Sequence, residues 1–81
     1  MNADIIKELI ESGLPDADVT VEGDDGQHFK AYIISESFFG KSPIQQHKMV
    51  YKALGDSMGK EIHALSFKTA IPEDLKKNKL S

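Results

Sequence analysis

VEGDDGQHFKAYII, Val21–Ile34, is the stretch that decides the fold. Its second half alternates: Phe29, Ala31 and Ile33 share one face of an extended chain, and Lys30, Tyr32 and Ile34 share the other. Gly23-Asp24-Asp25-Gly26 reads as a turn, because Gly and Asp tolerate the positive φ that hairpin loops require. Upstream, Ala17–Glu22 alternates too, with Val19 and Val21 set against Asp18 and Thr20, so the stretch forms the second half of a hairpin. Downstream, Ile62–Thr69 reads as a third strand. The link between strands two and three exceeds the roughly dozen residues that a parallel crossover needs. Such crossovers are right-handed in nearly all cases. A parallel pair puts the starts of both strands at one edge of the sheet. His28 stands directly before the second strand and His63 is second in the third, so the two imidazoles are expected to be neighbours.

Helices fill the remaining segments. Residues 3–12 carry Ile5, Ile6, Leu9 and Ile10 as an apolar stripe, while Asp4, Lys7, Glu8 and Glu11 face solvent. Gly13 reads as the C′ residue that ends this helix, with Pro15 just beyond. Ser42-Pro43-Ile44-Gln45 starts the central helix: Ser42 caps, Pro43 suits the first helical position and Gln45 completes a capping box. Its stripe is Ile44, His47, Val50, Tyr51, Leu54 and Met58, and Gly55 and Gly59 break its end into a second piece. Pro72–Lys79 reads as a terminal helix, with Glu73 and Asp74 at its start and lysines near its end, as the helix dipole favours. The expected order is α-β-β-α(α)-β-α. This is one small α/β (α+β) domain over residues 1–81, a three-stranded mixed sheet with helices packed on one face.

Composition narrows the function classes. A chain of 81 residues buries only roughly 60–65% of its unfolded surface. That leaves no room for a deep substrate cavity beside a core, so an enzyme of small molecules is not expected. With no cysteine, disulfides, thiolate metal sites and a cysteine nucleophile are excluded. No apolar run approaches the ~20 residues of a membrane span. Asp4 and Glu8 argue against a signal or transit peptide, so a cytoplasmic location is expected. The net charge is −3 and the ten basic residues are all lysine, which disfavours a general nucleic-acid binder.

Two readings of the histidines stay open on residue pattern alone. His63 shares a strand face with Leu65 and Phe67, so a rim histidine packed on the core is the simpler one. His28 alone, at a turn, means little. Together they offer two imidazole ligands suited to zinc, copper or iron, and a partner would complete the set. Asp25 is an alternative second ligand. His47, on the apolar stripe, reads as a packed structural histidine. Asp24 with Asp25 is explained by the turn, and Glu73 with Asp74 by the helix start. Ser35, Ser37 and Ser42 cluster before the helix, and nothing nearby activates one as a nucleophile. Lys41, Lys48 and Lys52 form a modest basic strip at the helix entrance. The order resembles a KH-like fold, whose Gly-x-x-Gly loop grips a nucleic-acid backbone. Phe39-Gly40-Lys41-Ser42 has only one of those glycines.

Phe39-Gly40-Lys41-Ser42, His47-Lys48-Met49-Val50-Tyr51 and Ile62-His63-Ala64-Leu65-Ser66, at their spacing, resemble the BolA-like family over nearly the whole chain. The resemblance implies a KH-like fold and a monothiol glutaredoxin partner. It further implies a shared 2Fe–2S cluster, with glutaredoxin and glutathione thiols on the partner's side. On this side it implies His63 plus a His or Cys from the loop before the second strand, for which His28 is the candidate. Histidine in place of thiolate should raise the cluster's reduction potential, as in Rieske centres. Two positions depart from the family: Gln46 stands where many relatives have Arg, and Ile71 stands where Thr often caps the last helix. The expected function is therefore a non-enzymatic role in iron–sulfur trafficking or in iron and redox sensing. The alternatives are a stress-response transcriptional regulator that binds DNA through Lys41, Lys48 and Lys52, and a bare zinc or copper buffer. Alone, the chain is expected to be a monomer or weak homodimer.

Overall fold

Three strands and two full helices appear in the expected order, and a computed structural model describes residues 2–23 and 28–75. Helix α1 (Ala3–Gly13) begins where the Asn2 side chain accepts a hydrogen bond from the Ile5 amide at 3.0 Å. Strand β1 (Asp18–Glu22) pairs antiparallel with β2 (Phe29–Ile34), and β2 pairs parallel with β3 (Leu65–Ala70). The order β1-β2-β3 makes β2 the centre, and the link from β2 to β3 is long enough for the parallel crossover observed. Helix α2 (Pro43–Leu54) carries the full capping box: Ser42 Oγ accepts from the Gln45 amide at 3.2 Å, and Gln45 Oε1 accepts from the Ser42 amide at 2.9 Å.

The alternation in β2 sets the layers. Phe29, Ala31 and Ile33 are buried, with Val19 and Leu65 beside them on the same face. Ile6 and Ile10 of α1, Val50 and Leu54 of α2, and Phe38 close the core over them. Phe38 belongs to a 3₁₀ turn, Glu36–Phe38, between β2 and α2, and it is wholly buried. The apolar stripes are narrower than their periodicity predicts. Ile5 (43% exposed) and Ile44 (70%) face outward.

Three expectations are corrected. Gly13 is not a left-handed C′ residue; it is the last residue of α1, and Leu14 is the cap. A Cβ on Gly13 would collide with the Ala53 side chain and lie 2.7 Å from Ala53 Cα. Glycine is needed there because α1 and α2 cross at backbone distance. Gly→Ala inside a helix ordinarily stabilises. Here Gly13→Ala is expected to cost about 1–3 kcal/mol, read as a lower urea midpoint at unchanged slope. The second correction concerns strand three, which starts at Leu65 and not at Ile62. Gly55 and Gly59 take positive φ (56° and 53°), and Gly59–Ala64 winds into a 3₁₀ turn instead of extending α2 or β3. Met58 still reaches the core from this connection. The third is His47, which is exposed on α2.

The terminal helix is visible only at its start. Glu73–Leu75 is helical, and the Leu75 amide donates to the Pro72 carbonyl at 3.1 Å. Residues 76–79 of that expected helix lie outside the described residues, as do Asp24, Asp25 and Gly26 of the turn. Ile71 packs against the core. Among the described residues no helix is long and apolar enough to cross a membrane.

Candidate metal-ligand cleft

Pairing of Phe29 with Leu65 fixes the level of both histidines. His28 immediately precedes Phe29, and His63 lies two residues before Leu65 in the 3₁₀ turn. Both side chains are exposed, and both line one open cleft of about 490 Å³ at the shared end of β2 and β3. Its lining includes Phe29 and Leu65, which are largely buried, and the polar residues Glu22, Lys30 and Ser66. Gly23 lets the chain close down on this wall, since a Cβ there would lie 2.5 Å from the Phe29 ring. His63 is thus not a strand residue packed on the core beside Leu65 and Phe67; the turn lifts it to the rim.

The donor set is incomplete by itself. Among the described residues no three His, Cys, Asp or Glu side chains are grouped to hold a metal ion. The alternative ligand Asp25 lies outside those residues. Two imidazoles cannot close a four-coordinate site, and the chain has no thiolate to add.

His47 is exposed, contrary to the packed position its place on the stripe suggests. Val50 and Leu54 define the buried line of α2. The His47 ring flanks that line, 4.8 Å from the Phe67 ring, and Tyr51 meets the same ring edge-on at 5.3 Å. Lys41, Lys48 and Lys52 are all exposed. Lys48 and Lys52 stand one turn apart on α2, and Lys41 follows Gly40, whose φ is 77°. Gln46 has a structural task. Its amide donates to the Lys41 carbonyl at 2.9 Å and the Phe38 carbonyl at 3.4 Å, and accepts from Thr69 Oγ1 at 2.6 Å. It ties the helix entrance to β3.

A polar clamp escaped the sequence reading. Asp16 accepts hydrogen bonds from Ser35 Oγ (2.8 Å), the Glu36 amide (2.9 Å) and Ser37 Oγ (3.2 Å). Ser35 is wholly buried and also accepts from the Ser37 amide at 3.0 Å. The clamp joins the α1–β1 connection to the β2–α2 connection. Burial raises the Asp16 pKa, but the bonds from Ser35, Ser37 and the Glu36 amide outweigh it and hold the carboxyl below its ordinary value. A depressed folded pKa stabilises above the unfolded value and loses that contribution as pH falls through the folded one. Asp16→Asn is therefore expected to cost about 1 kcal/mol at neutral pH, the low end for a charged acceptor because the carboxylate is exposed. Urea titrations should show that difference shrinking below about pH 4.

Comparison with known proteins agrees with the fold. A family model described as BolA-like protein matches residues 8–74. Human BolA-like protein 1 is 35% identical over 51 residues, which is 63% of this chain and 37% of that protein. SufE-like protein 1 of Arabidopsis thaliana is 39% identical over 54 residues, 65% of this chain and 15% of that protein. The chain thus matches well under half the length of either. The structure of a bolA protein homologue from Coxiella burnetii superposes with a TM-score of 0.79 at 40% identity, covering 94% of this chain and 97% of that one.

Proposed function

Because this chain belongs to the BolA-like family, and because His28 and His63 line one cleft, we propose that it is a non-enzymatic partner of a monothiol glutaredoxin with which it shares a 2Fe–2S cluster. The role is iron–sulfur trafficking or iron and redox sensing. The observation that carries the reading is the pair of exposed imidazoles at the common end of two parallel strands.

Two histidines can replace two cysteines on one iron of a 2Fe–2S centre, and this donor set fits that role. The cluster would supply one-electron chemistry and a transferable metal core. What the chain supplies is narrower. His28 and His63 would offer ring nitrogens from elements whose levels the Phe29–Leu65 pairing fixes. Phe29 and Leu65 would form the apolar floor of the cleft, and the partner would cover the ligands from solvent. Glutaredoxin and glutathione thiols would fill the positions that this cysteine-free chain leaves. A non-catalytic role is supported by the serines: Ser35 and Ser37 donate to Asp16, and Ser42 caps α2.

The test is anaerobic titration of this protein into a glutathione-ligated, cluster-bearing monothiol glutaredoxin, followed by visible circular dichroism. A new spectrum saturating at one-to-one stoichiometry is expected. No spectral change and no complex would reject the reading. A second reading, DNA contact by a stress-response regulator, is favoured by one observation: Phe38–Gly55 contains Lys41, Lys48 and Lys52 and no acidic residue. Binding to duplex DNA with a steep salt dependence is what it requires, and absence of binding at low salt would dispose of it.

A further inference from the structure

The two outer edges of the sheet are oppositely charged. Among the described residues neither β1 nor β3 has a partner on its outer side. On the face away from the helices β1 presents Asp18, Thr20 and Glu22, all exposed, and its inward residues are Val19 and Val21. On the same outer face β3 presents Ser66 and Lys68, both exposed. Its inward Phe67 is only half-buried, flanked by His47 and Tyr51. No acidic residue occurs in β3, and no basic residue in β1.

Charged residues on an open edge repel an edge of the same sign, and here the two edges carry opposite signs. We propose that β1 of a second copy of this chain adds to β3, setting Asp18 and Glu22 beside Lys68 on the open face and Val19 and Val21 towards Phe67. Strand directions permit it. β1 runs antiparallel to β2 and β3 runs parallel to it, so a sheet continued in the same sense brings the new β1 antiparallel to β3, the stronger pairing mode. Because β1 of the copy is already extended within its own sheet, little further ordering is required. Pairing of like edges is disfavoured, because β1 against β1 gathers carboxylates and β3 against β3 gathers lysines. The contact is therefore heterologous and builds short head-to-tail chains. Strands this short bury far less than the ~800 Å² per partner of a standard interface, so association is weak and salt-sensitive.

Sedimentation of the intact chain from micromolar to millimolar concentration tests it. The weight-average mass is expected to rise with concentration at low salt and to return to the monomer value at high salt. A wild-type chain that stays monomeric throughout overturns the proposal without recourse to any variant. Lys68→Glu alone, and Asp18→Lys with Glu22→Lys alone, should each stay monomeric because their edges now repel. An equal mixture of the two should associate again, since each then offers the complement of the other's edge. Far-UV circular dichroism checks that both variants are folded; all three positions are exposed. Variants that associate like wild type, or a mixture no heavier than its components, would also overturn it.

Discussion

His63→Ala is expected to remove the new visible spectrum that forms when this protein meets the cluster-bearing glutaredoxin, and to leave the fold untouched. His63 is exposed on a turn, so truncating it should change folding stability by no more than about 0.5 kcal/mol. Loss of a residue that only orients a ligand costs ~10–100-fold in metal affinity, and loss of the ligand itself should cost more than that. Titrations should then show at least about a hundredfold weaker transfer of the cluster into the mixed complex. His28→Ala should behave alike, from the neighbouring position before Phe29. A histidine with only a structural role predicts the reverse, a lower melting temperature with an unchanged spectrum. The pair of measurements separates the two.

The largest effect on stability is expected at Phe38. Its ring is wholly buried although it sits in a 3₁₀ turn between β2 and α2. Truncating a buried Phe to Ala costs ~3–5 kcal/mol, because a cavity remains where the ring was. Whole domains are stable by only ~5–15 kcal/mol, and one this small belongs near the lower end. Phe38→Ala should therefore lower the melting temperature by more than about 12 °C and leave a measurable unfolded population. A loss below about 1 kcal/mol would mean the turn collapses onto the vacated space, against the close packing described above. Phe38 follows the end of β2 opposite His28 and does not line the histidine cleft, so any residual folded protein should keep its spectral response.

Where local chemistry decides structure, the sequence is sufficient. Ser42-Pro43-Ile44-Gln45 starts α2 because the cap, the fixed φ of proline and the reciprocal Gln45 bond all act within one turn. The alternation of Phe29–Ile34 names the buried face correctly, and the length of the crossover permits the parallel pairing that β2 and β3 adopt. That is also why the two histidines could be brought to one end from sequence. The inference needed the level of the strand starts, and it survives the misplacement of His63. Its element was not legible, since Ile62-His63-Ala64-Leu65 reads as part of a strand, whereas a 3₁₀ segment opens at Gly59, with φ 53°, and runs to Ala64.

Non-local causes account for the other misses. Gly13 looks like a helix stop, yet the neighbour that requires glycine is Ala53, forty residues along the chain in another helix. His47 sits on an apolar periodicity, but α2 buries Val50 and Leu54 and leaves His47 exposed, its ring tilted against Phe67. Asp16 and Ser35 carry no motif that links them; only the fold brings the two connections together. Gln46 departs from the family by the charge it lacks, and its work in the fold is the bridge from Lys41 to Thr69.

Histidine ligation from this chain is the central claim, and isotope-edited electron–nuclear resonance reads it directly. The protein would be labelled with nitrogen-15, mixed with unlabelled glutaredoxin, glutathione and cluster, and reduced. Strong hyperfine couplings from nitrogen-15, reduced in His63→Ala, are expected, because only this chain carries the label. Nitrogen-15 couplings no larger than those of distant backbone amides would contradict the account and return both histidines to the protein surface.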